Sequence, residues 1–235
     1  MCCAIEPCGS ESLSLVDRMS SRISNRIDRP PIDFWFDFAS PYGYFMSEKI
    51  DALAALYGCS VRRRPVLLFA VLRVLDLPAP LGSDIKRDYM QHDFERSARF
   101  LGVPYRLPEG FPAMTQHAAR AFYLIDGVEG DGPTMAARFA RSVMRDYFID
   151  GAPIGDIEWI AARVVREASA LGDVQQVVAS LQSVPAKATL AAAVDAAIAQ
   201  RIFGSPFVVI GNEPFFGVDR LPQIEATLAG ELKPV

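Results

Sequence analysis

Three short stretches of this 235-residue chain carry residue types suited to chemistry. The first is Phe38-Ala39-Ser40-Pro41-Tyr42, where a serine precedes a proline at the junction of an apolar run and a helical one. Serine is a good helix N-cap, and proline fits the first helical turn. A hydroxyl there lies among unpaired N–H groups at the positive end of the helix dipole, a setting that stabilises an anion. A plain cap would look the same. The second stretch is Phe203-Gly204-Ser205-Pro206-Phe207, with a proline directly before an apolar strand. Proline cannot donate to a strand ladder. A cis Ser205-Pro206 bond would turn the Ser205 backbone groups toward a neighbour instead of the sheet, and the sequence leaves the isomer open. The third is Phe216-Gly217-Val218-Asp219-Arg220-Leu221. It reads either as an aspartate cap beside a solvated arginine or as a carboxylate that receives a ligand ammonium group.

Composition narrows the classes. At 51% hydrophobic and 22% charged, the chain can bury a sizeable core and is not disordered. Its 24 basic and 28 acidic residues give a net charge of -4, which argues against a nucleic-acid binder. The four cysteines are Cys2, Cys3, Cys8 and Cys59, with no Cys-x-x-Cys pair and no zinc spacing. Two histidines, His92 and His117, cannot build a His-rich metal site, so no metal is expected. One body cysteine makes a disulfide scaffold implausible and fits a reducing cytoplasm. No stretch is apolar and long enough to suggest a secretory signal or a membrane span.

The elements that must position the three stretches follow from pattern. Residues 1–31 read as an N-terminal extension closed by Pro30-Pro31; Arg18, Arg22 and Arg26 alternate with Met19, Ile23 and Ile27 as in a short amphipathic helix. Ile32–Phe38 reads as a buried aromatic strand, Tyr42–Tyr57 as a helix closed by Gly58, and Ser60–Leu68 as a second, parallel strand. Helices are expected over 83–101, 114–124, 134–148, 156–171, 174–181 and 185–202. Phe207–Ile210 and Glu213–Phe216 form a hairpin through Gly211-Asn212, and a last helix over 219–228 is capped by Asp219. Strands at both ends with helices between them predict an α/β fold interrupted by an all-helical insertion. Residues 32–68 and 203–235 would form the α/β unit, and 69–202 the helical insertion domain.

Taken together, the motifs resemble the 2-hydroxychromene-2-carboxylate isomerase family, a DsbA-like thioredoxin-fold group related to kappa-class glutathione transferases. Asp33-Phe-Trp-Phe-Asp-Phe-Ala-Ser-Pro-Tyr42 is similar to the strand leading to that family's Ser-Pro-Tyr/Phe site. Lys86, Tyr89, Asp93 and Arg96 match its Lys-x-x-Tyr-x-x-x-Asp-x-x-Arg helix. Leu101-Gly-Val-Pro104 and Phe111-Pro112 match the stretch after that helix. Phe203-Gly-Ser-Pro-Phe207 and Phe216-Gly-Val-Asp-Arg-Leu221 resemble the later segments. The match covers about 32–230. DsbA-like enzymes place Cys-Pro-x-Cys where this chain has Ser40-Pro41-Tyr42-Gly43, so dithiol exchange through this site is excluded.

The resemblance implies glutathione as cofactor, with Ser40 as the catalytic residue that hydrogen-bonds its thiolate and lowers the thiol pKa. It implies further that the Ser205 main chain, next to Pro206, pairs with the cysteinyl backbone. Asp219 and Val218 would hold the γ-glutamyl end, and Phe216 and Gly217 would line that wall. The family reaction is a cis-trans isomerisation of 2-hydroxychromene-2-carboxylate or a related aromatic unsaturated acid, by thiolate addition, ring opening, rotation and elimination, and the family implies a homodimer. Departures bear on the acceptor. A family lysine that binds the substrate carboxylate falls on Arg73, and a family asparagine on Met114. The competing readings are a kappa-like glutathione transferase and a non-catalytic binding module on the same scaffold. Asp93 and Arg96 otherwise read as a helix surface pair, and Cys59 as an inert buried residue.

Overall fold

The computed structural model describes residues 30–232. Most of the N-terminal extension, with Cys2, Cys3 and Cys8, lies outside the described residues. Strand β1 (Ile32–Phe36) leads through a turn into helix α1 (Pro41–Ser47), α2 (Ile50–Leu56), β2 (Val61–Pro65) and α3 (Leu68–Val74). Helices α4 (Asp84–Leu101), α5 (Gln116–Asp126), α6 (Gly132–Asp150), α7 (Ile157–Glu167), α8 (Val174–Gln182) and α9 (Val184–Ala199) follow. The chain closes with β3 (Phe207–Ile210), β4 (Glu213–Phe216), a 3-10 turn at Val218–Arg220 and α10 (Leu221–Ala229).

The four strands form one mixed sheet in the order β2-β1-β3-β4. β1 runs parallel to β2, with Trp35 opposite Arg64, and antiparallel to β3, with Trp35 opposite Phe207. β3 and β4 are antiparallel, as the Gly211-Asn212 turn signal predicts. The fold is the DsbA-like thioredoxin fold.

Period-two alternation divides the strand residues between two cores. Ile32, Phe34, Phe36, Val208 and Ile210 face a large core built with α1, α5, α6, α7 and α10. Trp35 and Phe207 face a smaller core with Val66, Val71, Ala197 and Ile202. Helical residues from 69–202 thus enter both cores, and the expected insertion shares its packing with the sheet. The arginines of β2 follow the same alternation. Arg62 and Arg64 reach Asp33 at 2.6 and 2.8 Å, whereas Arg63 turns the other way to Asp51 at 2.6 Å.

Three local expectations are corrected. The helix expected over Tyr42–Tyr57 is two short helices, because the chain bends at Glu48-Lys49, where Glu48 faces Arg141 and Arg145 of α6. The second strand ends at Pro65, and α3 begins at Leu68 with no side-chain cap to announce it. Asp219 does not cap the last helix; it lies in the 3-10 turn and pairs with Arg220 at 2.6 Å. In addition, Cys59 is half-buried, not sequestered.

Candidate functional site

β1 ends at Phe36, and the next four residues turn the chain into α1. Ser40 is the N-cap of α1, in extended conformation, and its Oγ accepts a hydrogen bond from the Gly43 N–H at 3.1 Å. The Ser40 hydroxyl also donates to the Ser205 carbonyl at 3.0 Å. The Ser205-Pro206 peptide is cis. Since α1 spans only seven residues, the helix dipole has little length behind it, and the hydroxyl itself is the useful donor.

Asp37 lies beneath this pair. It is 6% exposed and receives three hydrogen bonds: Ala39 N–H at 2.9 Å, Leu68 N–H at 2.9 Å and the Thr115 hydroxyl at 3.0 Å. Its own N–H donates to Ser205 Oγ at 2.9 Å. Asp37 therefore joins the turn after β1, the start of α3 and the entry to α5 through its carboxylate, and the segment before β3 through its backbone N–H. Burial pushes its carboxyl above the ordinary value, against the pull of those three hydrogen bonds. The sequence reading missed Asp37, because its partners lie up to 168 positions away.

The third stretch closes the other wall. The Gly217 N–H donates to the Pro206 carbonyl at 3.1 Å, which ties the loop after β4 to the segment before β3. Gly204 lets the Phe216 ring approach: a Cβ there would stand 2.1 Å from it. Phe216 lies against Phe203 and Phe207, with ring centroids 4.9 and 6.2 Å away. Gly217, at φ +105°, leaves room for the Asp219 carboxylate, which a Cβ would meet at 2.3 Å.

Ser40, Ser205, Pro206, Phe216, Gly217, Val218 and Asp219 all line one cavity of about 620 Å³, in the size range of small-molecule sites. Asp37, Tyr42 and Asp93 line it as well. Asp93 is more than a surface partner of Arg96, since it also accepts hydrogen bonds from the Tyr42 hydroxyl and from Ser97. Burial acts to raise the Asp93 pKa, but the hydrogen bonds from Tyr42 and Arg96, with the Arg96 charge, hold it below the ordinary value. Burial and the Asp93 carboxylate push the Tyr42 phenol upward, so it stays a proton donor.

Arg73 is not among the residues lining the cavity. It stands exposed four residues after Phe69, one helical turn further along α3. Met114 is 70% exposed and also outside the lining, as are both histidines. Among the described residues no group of three or more His, Cys, Asp or Glu could hold a metal ion. No single described helix is long and apolar enough to cross a membrane.

A thioredoxin-type sheet with a serine at the start of its first helix and a cis-proline facing that serine defines the class. The profile of the DSBA-like thioredoxin domain matches residues 31–229, and the chain belongs to that family. Its relatives include glutathione S-transferase kappa 2 of Caenorhabditis elegans, 30% identical over 88% of this chain and 95% of the relative. Another is 2-hydroxychromene-2-carboxylate isomerase of Pseudomonas putida, 29% identical over 84% of this chain and 93% of the relative. Among solved structures, a 2-hydroxychromene-2-carboxylate isomerase superposes with a TM-score of 0.73 at 26% identity, covering 85% of this chain and 94% of that one.

Proposed function

We propose that the chain is a glutathione-dependent isomerase of a small aromatic α,β-unsaturated acceptor of the hydroxychromene type. The observation that carries this reading is the Ser40 hydroxyl, which lines the cavity with its one proton on the Ser205 carbonyl at 3.0 Å. The residues suit glutathione by their chemistry. A hydroxyl donor suits a thiolate, a strand-like segment ending in cis-proline suits a peptide backbone, and the 66% exposed Asp219 side chain suits an ammonium group. Bound glutathione supplies a thiolate nucleophile that adds to the acceptor and is eliminated again.

Each residue then has a definite task. Ser40 turns its proton from the Ser205 carbonyl to the sulfur and holds the sulfur charged. The Gly43 N–H keeps Ser40 Oγ in place through that turn. Asp219 orients the γ-glutamyl end, and Tyr42, still protonated, faces the cavity from the first turn of α1. A cytoplasmic setting, with its glutathione pool, goes with this reading.

Ser40→Ala is expected to lower kcat by about 10²–10³-fold, the usual cost of removing one donor to a reacting anion. Glutathione should still raise the thermal midpoint of that variant. Full turnover by Ser40→Ala would sink the assignment. Product mass separates the isomerase from a kappa-like transferase: an unchanged acceptor mass means isomerisation, and a stable glutathione adduct means transfer.

A further inference from the structure

The cavity wall that does not belong to the glutathione residues is apolar and, among the described residues that line it, holds no cation. It comes from the start of α3, the loop before α4, α4 itself and the Phe111-Pro112 turn. Leu68, Phe69, Leu81, Met90, Phe94 and Phe111 supply most of it. Asp93 and Ser97 are its polar members, and Asp93 is an anion already engaged by Tyr42, Arg96 and Ser97. Arg96 spends its guanidinium on Asp93 and on the Tyr89 hydroxyl at 3.1 Å. Among the described lining residues, three carboxyl groups (Asp37, Asp93, Asp219) face one guanidinium, Arg220. Arg220 belongs to the opposite wall and is taken up by Asp219 at 2.6 Å and Gln223 at 3.2 Å.

A carboxylate carried into such a wall would lose water, meet no cation among the described residues that line it and face the Asp93 charge. An uncharged aromatic group would exchange water for Phe69, Phe94 and Phe111. We propose that the acceptor of this protein is a neutral aromatic electrophile, such as an enone or an ester, and not a carboxylic acid. This rests on the glutathione reading of the site. It separates the chain from a carboxylate substrate of the kind named for its isomerase relatives, with the difference located in the wall formed by α3 and α4.

Calorimetric titration of the full chain with three probes tests the proposal without requiring turnover. The probes are glutathione, S-benzylglutathione and S-(para-carboxybenzyl)glutathione. S-benzylglutathione is expected to bind at least about tenfold more tightly than its carboxylate analogue. In Met90→Lys, which adds a cation to the apolar wall, the carboxylate probe should gain and the order should reverse, while glutathione itself binds as before. If glutathione binds and the two conjugates bind equally, or the carboxylate probe binds more tightly, the neutral-acceptor proposal is overturned and the glutathione reading stands. If none of the three probes binds, the glutathione reading falls, and the proposal with it.

Discussion

Burial raises the Asp37 carboxyl above its ordinary value of 3.8, even though Ala39, Leu68 and Thr115 donate to it. The folded protein therefore holds a proton at Asp37 more tightly than the unfolded chain does. The stability this contributes is full below the ordinary value and is lost as pH rises through the raised folded value. Asp37→Asn removes that titration. The stability of the wild type relative to Asp37→Asn should accordingly shrink as pH rises above the ordinary carboxyl value of 3.8, read from urea unfolding at a series of pH values. A difference that does not change with pH would mean that Asp37 titrates alike in the folded and unfolded states. Residues at chain junctions were legible in the sequence: Ser40, Ser205-Pro206 and Phe216–Asp219 each stand where one pattern gives way to another. Asp37 was not, because an aspartate between Phe36 and Phe38 looks like part of a strand until Leu68, Thr115 and Ser205 arrive from elsewhere. Asp93 likewise shows its second role only when α4 meets α1.

At the scale of elements, the loop after β4 depends on glycine at 217. Its φ of +105° is strained for any other residue, and a Cβ would stand 2.3 Å from Asp219 Oδ1. Gly217→Ala should therefore displace the Asp219 carboxylate. The expected outcome is a rise of about tenfold in the KM for glutathione with kcat little changed, since the lost contact is remote from the reacting sulfur. An unchanged KM would remove Asp219 from the binding site. Element order was largely readable, because periodicity and turn signals are local. The three elements misread were decided by tertiary contacts or by missing caps. The bend at Glu48-Lys49 coincides with ion pairs to α6. Helix α3 opens on Leu67, which offers no side-chain cap. The 3-10 turn at Val218–Arg220 places Asp219 beside Arg220 and not over a helix end.

At the scale of the molecule, both faces of the sheet are covered by helices from the middle of the chain. The sequence suggested a sheet unit and a helical insertion, because strand-forming residues sit at the two ends. The packing joins them, with Phe36 against Phe122 of α5 and Trp35 in one core with Ala197 of α9. Shared cores predict one cooperative unfolding transition. The protein has two tryptophans, Trp35 in the sheet and the half-buried Trp159 in α7. In Trp159→Phe, fluorescence reports the sheet alone, while far-ultraviolet circular dichroism reports mainly the helices. Their urea midpoints should coincide. Two separated midpoints would show that the helical block unfolds independently.

Gly43 brings the first turn of α1 against the segment before β3. A Cβ at this position would stand 3.0 Å from Ser205 Oγ, which the Asp37 N–H already holds. Building a Cys-Pro-x-Cys pattern here needs Ser40→Cys and Gly43→Cys, and the second change crowds a hydroxyl that lies 162 positions further along the chain. A cysteine at 43 therefore requires the Ser205 hydroxyl to shift by a few tenths of an ångström. Positions 43 and 205 are thus coupled by contact, and they should co-vary among relatives that differ in their redox chemistry.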